Sequence, residues 1–384
     1  MAHPLEAHFK EHFPPGVPPT LYTCPGRVNL IGEHLDYNGG AVLPLAIERG
    51  IALAARIRPD KRVILHSLQR PERIELDLTH ELTFVPAHGW GNYPKGVMKI
   101  LRSEKIPLPG LELLFDADLP IGAGLSSSAA LEVLTGYALL DLTGVPIDRI
   151  RLALLAQRAE QEFIGVRCGI MDQFVVATAQ AGRALLLECA TLAHRHVPFN
   201  PTGYALVIMN TNRPRALSES RYNERREECE EARTILHQIR PLKHLVEATT
   251  EEAERALAAT PRLLRRVRHV VTEHVRVHQA VAALEQNDWP VLGHLLSASH
   301  RSLRDDFEVT GPELDTIVAA AEAHPECLGA RMTGAGFGGC ALALVERDRL
   351  GHFCAHVGRN YHDAVGLSAE FIISPAVAGV HTLA

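Results

Sequence analysis

Two spacings of apolar side chains run along the chain, and each predicts a different kind of element. Runs of apolar and β-branched residues are typical of buried strands, and they lie at 28–31, 41–58, 62–78, 111–115, 184–187, 204–209, 341–345 and 369–373. Apolar residues three and four positions apart are typical of helices, and they lie at 5–13, 90–102, 131–138, 147–163, in much of 215–325 and at 347–361. Strands and helices mix up to about residue 200 and helices dominate after it, so we predict a domain boundary there.

One loop, at 119–131, joins a predicted strand to a predicted helix and is rich in glycine and serine. Gly122 and Gly124 allow a tight turn and the close approach of a ligand. Three serines follow at 126–128, at the helix start, where hydroxyls cap free main-chain N–H groups. Such a loop suits an anion, and a nucleotide phosphate is the natural one. The spacing matches neither the lysine-containing phosphate loop nor the dinucleotide fingerprint, and an ordinary structural turn is the alternative.

A second loop, 334–339, carries four glycines in six residues. Two such loops can enclose one polyphosphate from both sides. The alternative is a tight hairpin, which needs glycine for positive φ. Four glycines exceed what a hairpin requires, so the sequence favours a ligand-binding role for this loop as well.

Two charged residues occupy unusual positions. Arg27 lies on an otherwise apolar predicted strand, and arginine is rarely buried without a partner. Asp172 follows Gly169 by three residues and lies in the first turn of a predicted helix. There it can serve as a general base or simply cap the helix. Arg27 is either half of a structural ion pair or a cation for a phosphate and for Asp172.

Other polar residues suit a polyol or a cation. Glu33, His34 and Asp36 cluster on a glycine-punctuated turn after the first long strand. Their spacing is not a usual zinc spacing, so we expect them to contact the hydroxyls of a sugar or another polyol. Ser128 and Glu160 offer the hard oxygen atoms that Mg2+ prefers, although each is also compatible with an ordinary helix cap or a surface residue.

The composition narrows the range of partners and locations. The net charge of −6 gives no basic surface for nucleic acid. No apolar run reaches the ~20 residues of a membrane span, and the first residues lack the basic-then-apolar pattern of a signal peptide. Seven scattered cysteines without a C-x-x-C pair are typical of reduced thiols. We therefore expect a cytoplasmic protein that binds neither nucleic acid nor membranes.

Taken together, these stretches resemble the motifs of the GHMP small-molecule kinases. The first motif, Gly-Arg-Val-Asn-Leu-Ile-Gly-Glu-His-x-Asp-Tyr at 26–37, resembles the galactokinase signature within that family. Agreement continues at 90–96, 168–174 and 299–306. The resemblance covers residues 5–380, and the motifs occur in the order of the family.

The resemblance implies a two-domain GHMP kinase fold with mixed sheets and an active site in the interdomain cleft. An N-terminal α/β domain, 1–200, would carry the sugar signature and the first glycine loop, and a C-terminal α+β domain, 201–384, would carry the second. The implied activity is transfer of the γ-phosphoryl group of MgATP to the C1 hydroxyl of α-D-galactose, as the first committed step of galactose catabolism. The products would be galactose 1-phosphate and ADP, with Mg2+ as cofactor, and the protein would be a monomer.

The resemblance also assigns roles to residues, motif by motif. Asp172 is implied to be the catalytic base and Arg27 its partner. The residues implied to hold the sugar are Glu33, His34, Asp36, Gly169 and Tyr222. The residues implied to contact ATP are Trp90, Gly122, Ala123, Gly124, Leu125, Ser126, Ser127 and Ser128. Ser128 and Glu160 are implied to lie near Mg2+.

The sequence departs from the family pattern at three places. Leu35 stands where the family usually has threonine, and its side chain should point away from the sugar. Arg213-Pro214-Arg215 differs from the usual residues before Tyr222, and the second loop opens Gly-Ala-Gly in place of Gly-Gly-Gly. Two other functions stay open at this point: a kinase for N-acetylgalactosamine, and a sensor that binds galactose and ATP without turnover.

Overall fold

The computed structural model describes residues 4–120, 122–213 and 218–383, without the side chains of 218–220. Within them the helices are α1 (Pro4–His12), α2 (Asn92–Ser103), α3 (Ser127–Leu142), α4 (Arg149–Arg158), α5 (Met171–Thr178), α6 (Ser218–His237), α7 (Thr250–Ala256), α8 (Pro261–Glu285), α9 (Trp289–Ser302), α10 (Pro312–Glu322) and α11 (Leu350–Val365). The strands are β1 (Thr20–Asn29), β2 (Ala41–Val42), β3 (Pro44–Arg58), β4 (Arg62–Ser67), β5 (Arg70–Asp77), β6 (Gly110–Ala117), β7 (Arg183–Glu188), β8 (Ala193–Pro198), β9 (Tyr204–Asn210), β10 (Cys327–Thr333), β11 (Cys340–Glu346), β12 (Glu370–Ile373) and β13 (His381–Thr382).

The described strands form three sheets. The largest has the order β13-β1-β3-β6-β4-β5, and its only parallel pair is β4 with β6. A three-stranded sheet has the order β2-β7-β8, and a four-stranded antiparallel sheet has the order β10-β11-β9-β12. The sheets are therefore mixed, as expected.

The proposed boundary near residue 200 falls between β8 and β9. All strands of the four-stranded sheet follow it, and all strands of the other two sheets precede it except β13. β13 returns from the C-terminal end of the chain to pair with β1. A continuous apolar core runs through both halves, from Tyr22 to Val380. The boundary near residue 200 therefore remains a proposal, because it separates most of the strands by sheet but does not divide the apolar core, which both halves share.

Most predicted elements are present within a few residues of their expected ends. The apolar pattern misses three strands: β8, β10 and β13. β10 escapes it because Arg331 lies in the middle of the strand. The helix predicted at 147–163 is α-helical only to Arg158 and continues as a π-helical turn, Ala159–Ile164.

The first three residues, Ile121 of the first glycine loop and the pair Pro214-Arg215 lie outside the described residues. In the part of the chain that is described, no helix combines the length and the apolar character needed to cross a bilayer.

Candidate active site

A cleft of about 740 Å³ brings the sequence motifs together. Its lining draws on both halves of the chain, from β1 and the turn after it to the loop between β10 and β11. The predicted site residues in the lining are Arg27, Glu33, His34, Asp36, Gly122, Ser128, Glu160, Gly169, Asp172 and Tyr222. Gly334 and Ala335 of the second glycine loop join them. Both glycine loops therefore face one cavity, as the sequence predicts.

The floor of the cleft holds a bidentate ion pair. Arg27, near the end of β1, donates from Nε to Asp172 Oδ1 at 2.8 Å and from Nη2 to Asp172 Oδ2 at 2.6 Å. Its Nη1 donates to the carbonyl oxygen of Gly124 at 2.8 Å. Asp172 lies in the first turn of α5. The guanidinium thus fixes the carboxylate and ties it to the first glycine loop.

The serines of that loop do not all act as helix caps. Ser126 adopts a left-handed conformation with φ 64° and makes no capping hydrogen bond. Its hydroxyl donates instead to Asp172 Oδ2 at 2.6 Å. The expectation of a capping serine is wrong for Ser126, because a charged acceptor nearby competes with the helix N–H groups. Ser126 is consequently a second fixed partner of Asp172, which the spacing of residues did not reveal.

The main chain of the loop suits its expected role. Gly122 and Gly124 have φ of 72° and 75°, which glycine adopts without cost. Ala123 and Leu125 are buried in the core, and neither of them, nor the exposed Ser127, contributes to the lining. Gly124 and Ser126 are also absent from the lining, so Gly122 and Ser128 are the described residues of this loop that line the cleft.

A group of oxygen ligands lies beside the ion pair. The π-helical turn holds Glu160, which is buried at the cleft. Gln173 Nε2 donates to Glu160 Oε2 at 2.6 Å and to Glu132 Oε2 at 3.1 Å. Burial raises the pKa of both glutamates, and Glu132 Oε1 has no partner among the described residues. With Ser128 at the cleft, these hydroxyl and carboxyl oxygens fit Mg2+.

Asp36 and Gly169 form one wall of the cleft. A Cβ atom on Gly169 would lie 1.8 Å from Asp36 Oδ2, so only glycine leaves room for this carboxyl group. Burial, followed by the charge of Asp172, raises the pKa of Asp36 to about 7. The wall is therefore a polar surface whose charge changes near neutral pH.

An aromatic group supports His34. The ring Nδ1 of His34 lies 2.9 Å from the hydroxyl of Tyr37, and the ring packs against Tyr222 and Phe307 with centroid separations of 5.7 and 4.7 Å. Burial, followed by the charge of His269, lowers the pKa of His34 to about 3. Its Nε2 is buried without a hydrogen-bond partner among the described residues. His34 therefore presents a neutral ring to the cleft that it lines.

Glu33 joins the first motif to the second glycine loop. Its Oε2 accepts from Asn29 Nδ2 at 2.6 Å and from Arg331 Nη2 at 2.7 Å. Its Oε1 accepts from the Gly334 N–H at 2.7 Å, with Thr333 Oγ1 at 3.1 Å. Since a carboxylate offers about four acceptor positions, a ligand hydroxyl at Glu33 would share an oxygen with one of these donors. The second loop is thus both the turn of a β10–β11 hairpin and part of the cleft.

The structure does not bring Trp90 into the lining. Its ring packs against Phe115 with a centroid separation of 5.5 Å. The aromatic residues of the lining nearby are Phe84 and Tyr93, which the motif match did not single out.

Arg331 is the main residue that sequence reasoning missed. It is fully buried, and its Nη1 donates to the carbonyl oxygens of Asn29 and Leu30 at 3.0 and 2.9 Å. The signal that the sequence offers is a lone arginine beside apolar residues, as at Arg27. Arg27 belongs to β1, whereas Arg331 on β10 binds the end of β1 and the turn after it.

Sequence comparisons agree with this geometry. Three family models match the chain: the GHMP kinases N terminal domain at residues 92–180, the galactokinase galactose-binding signature at 7–57, and the GHMP kinases C terminal region at 280–363. Galactokinase of Exiguobacterium sibiricum is 47% identical over 352 residues, which is 91% of this chain and 90% of that protein. Galactokinase of Clostridium tetani is 43% identical over 365 residues, 94% of this chain and 93% of that protein.

Solved structures extend the agreement to the whole fold. The crystal structure of Lactococcus lactis galactokinase complexed with galactose aligns with a TM-score of 0.95 at 42% identity, over 99% of both chains. Mevalonate kinase of Methanococcus jannaschii, at 18% identity, aligns with a TM-score of 0.68 over 94% of this chain and 100% of that one, which shows the shared fold alone. Motifs, site geometry and nearly full-length identity lead to one assignment: the chain belongs to the galactokinase family of GHMP kinases.

Proposed function

We propose that this kinase transfers the γ-phosphoryl group of ATP to the C1 hydroxyl of α-D-galactose, giving galactose 1-phosphate and ADP. The observation that carries the proposal is the ion pair of Arg27 and Asp172 at the floor of a cleft that both glycine loops line. A carboxylate fixed beside a phosphate-binding loop can accept the proton of an attacking hydroxyl. Family membership supplies the acceptor, because the relatives are named galactokinases and one is solved with galactose.

Asp172 is proposed to receive the proton of the C1 hydroxyl. Its Oδ2 accepts from both Arg27 and Ser126, whereas its Oδ1 accepts only from Arg27 Nε within the described part of the chain. Oδ1 therefore keeps an acceptor position for the sugar. As the proton leaves, the C1 oxygen bonds to the γ-phosphorus, the bond from that phosphorus to the β–γ bridging oxygen breaks, and ADP departs. Arg27 lies where it can offset negative charge at this point of a loose transition state.

The sugar is proposed to lie against the turn after β1. When ionised, Asp36 accepts a hydrogen bond from a sugar hydroxyl, and the ring of His34, which lines the cleft, offers a second polar contact. Gly169 leaves the room that Asp36 needs, and Tyr222 closes the aromatic side of the cleft beside His34. Glu33 holds this turn to the second glycine loop and presents a carboxylate to the sugar.

The nucleotide is proposed to lie along the first glycine loop, with its phosphates at the main chain of residues 122–128 and the start of α3. Gly122 and Gly124 have positive φ and no side chain, so a phosphate could approach main-chain N–H groups of the loop without obstruction. Ser128 and Glu160 would hold Mg2+, which supplies charge neutralisation to the phosphates when bound. The base would lie toward Phe84 and Tyr93, with Trp90 behind them.

One assay tests the function. The purified protein is incubated with ATP and Mg2+ and with galactose, N-acetylgalactosamine, glucose or no sugar, and the products are identified by phosphorus NMR. We expect galactose 1-phosphate as the main product. If N-acetylgalactosamine were phosphorylated in preference to galactose, the proposed acceptor would be wrong. Binding of galactose and ATP without any product would indicate a sensor. We further propose that the protein is a monomer, which sedimentation analysis tests. We also propose that it acts in the cytoplasm.

A further inference from the structure

A second cluster of ligating side chains lies away from the cleft, at the pairing of β2 with β7. His274 and His278 are one turn apart on α8, and Glu188 ends β7. One ligand atom from each of the three residues lies within 4.8 Å of the other two. The His278 Nε2 and Glu188 Oε1 atoms are 3.5 Å apart. Two ligands bound to one zinc ion at 2.0–2.1 Å with tetrahedral geometry are separated by ~3.4 Å, so this pair already has nearly the required spacing.

We propose that Glu188, His274 and His278 form a binding site for a divalent transition metal ion such as Zn2+. Two imidazoles and one carboxylate are a ligand set that zinc accepts, with a fourth position left for water. The side chains of Glu188 and His278 are 33% and 46% exposed, which lets an ion enter. His274 and His278 lie on the same long helix, so the helix already fixes the distance between their main-chain atoms and metal binding orders only their side chains.

The His274 ring also bonds to the main chain of β2. In a neutral imidazole ring, one of the two nitrogens carries the proton and the other holds a lone pair. That lone pair is on Nδ1, which accepts from the Ala41 N–H at 3.1 Å. A metal at Nδ1 would take this lone pair directly. A metal at Nε2 would move the ring proton to Nδ1, where it would oppose the Ala41 N–H. In either case, a metal bound to His274 breaks the hydrogen bond to Ala41.

Ala41 connects the proposed metal site to the proposed sugar site. It begins β2 directly after the glycine turn that ends the first motif, and it pairs with Glu188 itself in the β2–β7 ladder. The preceding carbonyl, that of Gly40, accepts from the Cys189 N–H at 3.2 Å. The Gly40 N–H in turn donates to the carbonyl oxygen of Leu35, beside Asp36, at 2.9 Å. Loss of the His274 bond is therefore expected to loosen the turn that carries Asp36. Metal binding should weaken galactose binding, and this part of the inference rests on the proposed function.

The site itself is tested without sugar or nucleotide. Calorimetric titration with ZnCl2 should show one binding event in the parent protein. His278→Ala and Glu188→Gln should each weaken it by about tenfold or more, since each removes a ligand. His294→Ala is the matched control, because His294 is an exposed histidine on the neighbouring helix α9. Equal zinc binding by the parent and by both ligand variants would overturn the site, because the zinc would then be bound elsewhere, for instance at cysteines.

The coupling has its own readout. Galactose affinity, measured by calorimetry with saturating Zn2+ and after chelation, should differ about two- to tenfold, the effect of one net hydrogen bond. By linkage, galactose must weaken zinc binding by the same factor, and His278→Ala must remove both effects. Zinc binding at the site with unchanged galactose affinity would overturn the coupling. Absence of any galactose binding would instead contradict the proposed function, while the zinc titration would still decide the site.

Discussion

The ion pair of Arg27 and Asp172 satisfies a buried cation and also positions the proposed catalytic carboxylate. Arg27 is only 4% exposed, and a buried guanidinium requires a fixed anion. The side chain of Asp172 is 29% exposed, so the bond that satisfies Arg27 leaves the carboxylate within reach of a ligand. A structural ion pair and a catalytic pair are therefore one arrangement here.

Asp172→Asn keeps the shape of the side chain and removes its basicity. We expect kcat to fall by about 10²–10⁴-fold, while calorimetry still detects galactose and ATP binding. Ser126→Ala, which removes one donor to the same carboxylate, should have a much smaller effect. Near-normal turnover by Asp172→Asn would show that the carboxylate does not accept the proton.

The charge of Asp36 predicts a pH dependence. Because its pKa is raised to about 7, the carboxyl is largely protonated at pH 6 and largely ionised at pH 8. If the ionised form accepts a hydrogen bond from a sugar hydroxyl, the galactose dissociation constant should decrease as the pH rises from 6 to 8. Asp36→Asn should remove this dependence and raise the constant for galactose by about 10- to 150-fold, the equivalent of a charged hydrogen bond. An equal rise in the ATP constant would indicate a purely structural role.

At the scale of elements, two irregular segments place the chemistry. The first glycine loop, with positive φ at Gly122, Gly124 and Ser126, turns the chain from β6 into α3 at the cleft. The π-helical turn Ala159–Ile164 brings Glu160 to the same place. Such departures from regular geometry recur at functional sites.

The first loop is tested by Gly124→Val. A β-branched residue at φ 75° is strained by roughly 1–2 kcal/mol, and its side chain would take space beside the main-chain N–H groups. We expect MgATP binding to weaken strongly and galactose binding to stay nearly unchanged, by calorimetric titration. Parent-like MgATP binding would show that the phosphates lie elsewhere.

The loop before α5 is tested by Gly169→Ala. The added Cβ would lie 1.8 Å from Asp36 Oδ2, so the carboxyl group must move. A displacement of this size in a binding wall is expected to cost about 10²-fold in kcat/KM for galactose. The control is Gly351→Ala, where no atom lies within 4 Å of the new Cβ. Parent-like activity of Gly169→Ala would mean that Asp36 does not need its observed position.

At the scale of the whole molecule, a buried network ties the two halves together across the cleft. Arg331 on β10 binds Glu33 and the carbonyl oxygens of Asn29 and Leu30. It thereby joins the four-stranded sheet to the first motif. Both charged groups of this link, Arg331 and Glu33, are themselves buried.

Arg331→Met should therefore destabilise the whole fold. It leaves the Glu33 carboxylate buried without its cation, which costs about 3–5 kcal/mol, measured as the free energy of unfolding in urea. Arg331→Met combined with Glu33→Gln should be less destabilised than the sum of the two single variants, because the pair is coupled. Additive effects would show that the network does not act as a unit.

The sequence was enough for most of the elements, the motifs and the family, because apolar periodicity and local glycine patterns are properties of neighbouring residues. It also marked Arg27 and Asp172 as unusual. It missed β10 and Arg331 because a buried arginine interrupts the apolar run that would reveal a strand, and its partners are ~300 residues away.

The tertiary structure decided which polar groups meet. The sequence placed Ser126 at a helix start, and only tertiary packing brought Asp172 near enough to accept a hydrogen bond from its hydroxyl. Sequence placed Asp36 and Gly169 in separate motifs, and only the fold set the side chain of one against the main chain of the other. Local spacing fixes what a residue can do with its neighbours, whereas charge, burial and hydrogen-bond partners at the site come from segments that are distant in the chain.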